Sequence, residues 1–189
     1  MQLLRSAATL LVEPEFAQLC FVVEDLDVAM PFFTARLGAG PWFPLNEIPA
    51  NLDQTTYRGV PTPLGARIAL SYMGGTMIEL VEPKAGSRSI FSEWAQEKGF
   101  GLHHFGFLTR DFDAVERSLG AAGIAQVMSS VTPLGARVAM VGGGAPFGAF
   151  EEYIELIDDN ARFYDFMRAR AADWDQNELI YTKPFSLEW

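Results

Sequence analysis

Apolar positions along the chain fall into strand-length and helix-length runs broken by turn residues, and the order of the runs repeats. Phe16–Val23 (FAQLCFVV) is a continuous apolar stretch of strand length. A helical pattern follows, with Val28, Phe32 and Ala35 on one side, Pro31 in or near its first turn and Leu37–Pro41 (LGAGP) stopping it. Trp42–Leu45 predicts a short strand, which Pro44 confines to an edge. Asn46–Gln54 is polar loop. Strands are predicted over Tyr57–Val60 and Ala66–Tyr72, and Gly74-Gly75 turns the chain into a return strand at Met77–Val81. The first half therefore reads β-α-β-β-β. Residues 83–100 connect, with an amphipathic turn or helix around Phe91 and Trp94.

The second half starts the same order again at Gly101. A strand over His104–Leu108 leads to a helix capped by Asp111 or Asp113, with Phe112, Val115, Leu119 and Ala122 on one side. Strands near Ala125–Ser129, Ala136–Val141 and Tyr153–Ile157 follow, with a glycine-rich loop at 142–148 placed as a lid. Some of the repeat is literal: Thr62–Arg67 (TPLGAR) recurs as Thr132–Arg137, and Ile78–Leu80 (IEL) recurs as Ile154–Leu156. Residues 1–14 read as a short strand or arm. A helix near Arg162–Arg170 turns Phe163, Phe166 and Met167 inward, and the aromatic segment Trp174–Trp189 packs as an extended arm.

Laying one half on the other gives the polar residues their meaning. Gln18 stands before Asp25 as His104 stands before Asp111, which makes them equivalent positions on equivalent strands. The Ile-Glu-Leu match makes Glu79 and Glu155 equivalent on the closing strands. A carboxylate inside an apolar strand costs free energy unless it meets a cation or several donors. Gln18, Glu79, His104 and Glu155 then form a four-ligand oxygen and nitrogen site suited to a divalent ion. The plainer reading of either glutamate is an edge-strand position or an ion pair with Arg67 or Arg137. Strand alternation puts His103, Phe105 and Phe107 on one face and His104, Gly106 and Leu108 on the other. Only one histidine would then look into a given cavity, with room beside it at Gly106.

Composition narrows the classes. Of 189 residues 49% are hydrophobic, enough to bury a core. The net charge of −10, from 24 acidic and 14 basic residues, argues against nucleic-acid and anionic-membrane partners. A single cysteine, Cys20, fits a reducing compartment, and the apolar opening is too short to span a bilayer. A cytoplasmic protein is expected.

The segments QLCFVVEDLD, MIELVEP, GLHHFGFLTRDFD and YIELID resemble the vicinal oxygen chelate superfamily of glyoxalases, methylmalonyl-CoA epimerases, extradiol dioxygenases and bleomycin-resistance proteins. Gly40–Phe43 (GPWF), Tyr57–Gly59 (YRG) and Gly101–His104 (GLHH) are similar to signatures of its glyoxalase-like members. The resemblance implies an α+β fold of two βαβββ modules over 15–82 and 101–159, a connector at 83–100 and a C-terminal helix and tail at 160–189. It implies one metal ligand from the first and last strand of each module: Gln18, Glu79, His104 and Glu155. That set is similar to a zinc-holding glyoxalase I set, with nickel, cobalt, manganese or iron as alternatives.

The implied chemistry is lyase or isomerase action through a chelated enediolate or enolate of a small carbonyl or aromatic compound. Glu155 is the expected base, with Glu79 second. Tyr57 and Arg58 are expected to anchor substrate, and Trp42, Phe147 and Phe150 to wall its pocket. The alternatives are a metal-free small-molecule binder of the resistance type and, lower, a ring-cleaving dioxygenase, which needs two histidines and a carboxylate around iron. A homodimer is expected, with the aromatic tail wrapping its neighbour.

Overall fold

The computed structural model describes residues 13–45, 54–143 and 148–183. Most of the expected N-terminal arm and of the Asn46–Gln54 loop, most of the 142–148 lid with Phe147, and residues 184–189 of the aromatic tail lie outside these residues.

The first half runs β1 (Glu15–Val22), α1 (Leu26–Leu37), β2 (Phe43–Pro44), the hairpin β3 (Thr56–Tyr57) and β4 (Val60–Pro61), then β5 (Ala66–Met73) and β6 (Thr76–Pro83). After α2 (Ile90–Lys98) the second half runs β7 (Gly101–Thr109), α3 (Phe112–Ala121), β8 (Gln126–Val131), β9 (Arg137–Gly142) and β10 (Phe150–Glu155), and α4 (Asp158–Ala172) follows. One sheet takes the order β2-β5-β6-β1-β7-β10-β9-β8-β3-β4. The two halves meet at its centre, where β1 and β7 pair antiparallel, so they join within one chain.

The turns and caps follow local chemistry. The Asp25 carboxylate accepts from the Asp27 and Val28 N–H groups and starts α1, Gly38 ends it at φ 70°, and Asp111 caps α3 through Ala114 N. Ser89 and Ser92 form a reciprocal capping box on α2. The predicted strand at Tyr57–Val60 is instead a hairpin, because Arg58 and Gly59 both take positive φ, 51° and 77°. It pairs with β8 of the other half, and the Thr56 and Ser129 hydroxyls lie 2.6 Å apart.

Side-chain alternation divides the sheet. Ile78 and Leu80 of β6 face α1, and Tyr153 of β10 faces α3. Met77 and Val81, and Ile154, take the other face, which α2 and α4 cover. Helix α1 buries Leu26 and Met30, whereas the expected stripe holds Val28 at 68% and Phe32 at 57% exposure. Its apolar residues lie all round, so periodicity did not choose the face, and Pro31 sits well inside the helix rather than at its first turn. The tail docks on its own chain: Trp42 and Ile180 form a bridge, and Tyr181 packs on Phe43 and Phe166.

Two register shifts between β1 and β7 matter for function. Ala17 is an extra residue on β1, and His103 is an extra residue on β7, opposite Cys20 and Phe21. A bulge of this kind sends successive side chains to the same side. Both His103 and His104 are therefore fully buried on the face that carries Gln18, which corrects the expectation of opposite faces.

Candidate functional site

The four central strands each deliver one polar side chain to a common point. Gln18 comes from β1, Glu79 from β6, His104 from β7 and Glu152 from β10. The two halves use the same register: Glu79 stands opposite Cys20, two residues beyond Gln18, and Glu152 stands opposite Gly106, two residues beyond His104. Gln18 Nε2 donates to Glu79 Oε2 at 2.7 Å and to Glu152 Oε2 at 3.3 Å. His104 Nε2 lies 3.2 Å from Gln18 Nε2, 3.2 Å from Glu79 Oε2 and 3.1 Å from Glu152 Oε2.

All four residues are buried. The donor atoms of Glu79, His104 and Glu152 lie within 4.8 Å of one another, a grouping able to hold a metal ion. The set fits a divalent cation on chemical grounds. Two buried carboxylates point at one spot shared with an amide and an imidazole, and oxygen and nitrogen donors suit such an ion. Burial opposes charge on the His104 imidazole, but the Glu152 carboxylate beside it outweighs burial and raises its pKa well above the usual histidine value. The Cys20 thiol is itself pushed up by burial first, then by Glu79, so it stays protonated.

Glu152 was not singled out from the sequence, and Glu155 takes another role. The literal Ile-Glu-Leu match is out of structural register by three residues, and three steps along a strand reverse the face. Glu155 accepts from Arg137 Nε at 3.0 Å and Nη2 at 2.7 Å, and from the Arg137 backbone N–H. Hydrogen bonds from Arg137 lower its pKa. Its counterpart is Glu82, which accepts from Arg67 at 2.8 Å and caps Leu26 N. The equivalent pairs are thus Glu79 with Glu152 and Glu82 with Glu155. The signal was present in the chain as Glu-x-x-Glu in both halves, read against the repeated TPLGAR arginines.

Gln18, Glu79 and Glu152 line a cavity of about 620 Å³, with His104 directly behind them. Its walls are apolar, with Leu64, Ile68, Leu70, Phe91, Met128 and Ile154, and Lys84, Ser130 and Thr132 also line it. Tyr164 of α4 adds a phenol whose pKa is raised by burial and then by Glu152 and Glu79, so it remains a proton donor.

Most of the expected substrate contacts lie elsewhere. Trp42 is wholly buried against α1, with Nε1 donating to Thr34 Oγ1 at 3.0 Å. Tyr57, Arg58 and Phe150 line a separate cavity of about 530 Å³. There Tyr57 Oη donates to Glu93 at 2.6 Å and Arg58 pairs with Glu93 at 2.8 Å, while Phe150 packs on Trp94 and His103.

A sheet of two βαβββ halves with a buried, pseudo-symmetric amide, imidazole and carboxylate cluster defines a known class. Residues 17–139 match the Glyoxalase/Bleomycin resistance protein/Dioxygenase superfamily, and the chain belongs to it. Methylmalonyl-CoA epimerase from Mycobacterium tuberculosis is similar in fold at 20% identity and a TM-score of 0.60, over 84% of this chain and 99% of that one. A variant of Streptomyces coelicolor methylmalonyl-CoA epimerase in complex with 2-nitronate-propionyl-CoA is similar at 20% identity and a TM-score of 0.58, over 78% of this chain and 97% of that one. No curated protein sequence matches the chain. No helix among the described residues is long and apolar enough to cross a membrane.

Proposed function

We propose that the protein is a metal-dependent isomerase or lyase that moves a proton on the carbon beside a carbonyl group of a small, largely apolar substrate. The observation that carries this reading is the approach of the Glu79 and Glu152 oxygens, which line a cavity, to within 3.2 and 3.1 Å of one buried imidazole nitrogen behind them. Gln18, Glu79, His104 and Glu152 would hold the ion, zinc first, with nickel, cobalt, manganese or iron as alternatives. A divalent ion there supplies Lewis-acid stabilisation of oxygen charge.

The chain's own residues do the rest. The apolar walls bind the body of the substrate and exclude water. Glu152 takes the proton from carbon onto its carboxylate oxygen not turned to His104, the part first expected of Glu155, and Glu79 is the second candidate. The electron pair left behind moves onto the carbonyl oxygen, and Tyr164 Oη–H donates toward it. The epimerase neighbours, one in complex with methylmalonyl-CoA and NH4+, support acyl thioesters as one substrate class to try. Ring cleavage by a histidine pair is disfavoured because His103 turns its Nδ1 to His104 and packs its ring among Phe91, Trp94 and Phe150, so His104 alone of the two offers a nitrogen to Glu79 and Glu152. The apolar walls also suit a metal-free binder.

The test has two arms. Purified protein should take up about one Zn, Ni or Co ion per chain, a capacity lost in His104→Ala. Acyl thioesters and α-hydroxy ketones in D₂O should gain deuterium beside the carbonyl, and Glu152→Gln should slow this by roughly 10²-fold or more. No uptake of any of these ions favours the binder. Equal wash-in by Glu152→Gln moves the base to Glu79.

A homodimer belongs to the same proposal. The exposed Val28 and Phe32 stripe of α1 supports it, and light scattering at rising concentration tests it.

A further inference from the structure

The residue behind the site is as unusual as those in it. The β7 bulge turns His103 onto the site face, and His103 Nδ1 lies 2.9 Å from His104 Nδ1. Both rings are wholly buried, so one of these nitrogens must carry a proton and the other a lone pair. Cys20 Sγ lies within 4.8 Å of a ring nitrogen of each. The rest of the His103 ring sits among Phe91, Trp94 and Phe150 at centroid separations of 4.9, 5.1 and 4.9 Å. His103 Nε2 is buried in that cage with no hydrogen-bond partner.

The cage decides where the proton sits. The Trp94 ring meets His103 nearly edge to face, at 75°, and because aromatic faces carry partial negative charge an N–H is favoured there over a lone pair. Neutral His103 therefore carries its proton on Nε2 and leaves Nδ1 bare. His104 Nδ1–H donates to that bare nitrogen, and His104 Nε2 is the nitrogen turned to Glu79 and Glu152. With the Nδ1 proton held by His103, the proton that a binding metal ion would displace is the one on Nε2, which faces Glu79 and Glu152.

We propose that His103 is a positioning residue: caged in its Nε2–H form, it accepts the Nδ1 proton of His104 and fixes both the ring orientation and which nitrogen is offered to the metal site. The metal half of this rests on the proposed function, whereas the tautomer does not. A partner on the second nitrogen of a ligating histidine fixes its tautomer and raises its basicity.

Ring-nitrogen NMR of ¹⁵N-labelled, metal-free protein reads the tautomer directly, with His103→Asn to assign the signals. The expected spectrum shows His103 protonated on Nε2 and bare on Nδ1, and a His103 Nδ1–H would overturn the proposal. Zinc titration supplies the second readout. His103→Leu, which keeps bulk and removes the acceptor, should weaken zinc binding by roughly 10- to 100-fold. His103→Asn, which returns an acceptor near the Nδ1 position, should recover most of it. Thermal melts establish that both variants fold, and a folded His103→Leu that binds zinc as tightly as wild type overturns the positioning role. Wild-type protein that takes up no zinc refutes the metal reading instead, and the spectrum alone then decides the His103 assignment.

Discussion

At the scale of single residues, Gly106 sets how closely the two central strands bring Gln18 to His104. A Cβ built on Gly106 would lie 2.7 Å from the Gln18 Cβ, and Gly106 is paired with β1 on one side and β10 on the other. Neither backbone can retreat cheaply there, so Gly106→Ala should push Gln18 off the cluster. The expected cost is about 1–3 kcal/mol of stability, read by urea unfolding, with weaker zinc binding by calorimetry. Unchanged affinity would show that Gln18 is not a ligand. The glycine stood out in the sequence as room beside His104, but the structure gives that room to Gln18. Gln18, Glu79 and His104 were legible because they sit on repeated strands. Glu152 was not, because a tripeptide match is blind to which face of a strand a residue occupies.

At the scale of elements, the repeated TPLGAR segment builds two ion-pair clamps that tie strands β5 and β9 to the helix starts. Arg67 bridges Glu82 and Asp27, and Arg137 bridges Glu155 and Asp113. Because Arg137 lowers the pKa of Glu155, this clamp stabilises the fold above the unfolded glutamate pKa of about 4.3 and is lost as pH falls through the lower folded value. Glu155→Gln should therefore cost about 1–2 kcal/mol at pH 7, and the difference from wild type should shrink in urea titrations below about pH 4. The same variant should keep its metal, whereas Glu152→Gln should bind it more weakly. The order of elements along the chain was readable from the hydrophobic runs and the repeat. The β7 bulge was not, since the extra residue shows only when two strands are in register, and it is what brings His103 behind His104.

At the scale of the molecule, the cavity is assembled from parts distant in sequence. Each half supplies two of the four polar residues, and their pairing through β1 and β7 completes the set within one chain. The β3–β4 hairpin leaves the first half and closes on β8 of the second, while α4 lays Phe163 and Met167 against Phe43, Leu70 and Met77 and brings Tyr164 to the cavity. The repeat made the α+β class legible, but the hairpin's destination and the docking of α4 depend on long-range packing with no local signature. Tyr164 was missed for that reason. A site complete on one chain behaves differently from one shared across an interface, where dilution would dismantle it. Metal bound per chain, measured by equilibrium dialysis against zinc at fixed free concentration, should stay near one as protein is diluted. It should do so whether or not light scattering shows a dimer dissociating over the same range. A stoichiometry that falls in step with dissociation would mean that a neighbouring chain completes the site.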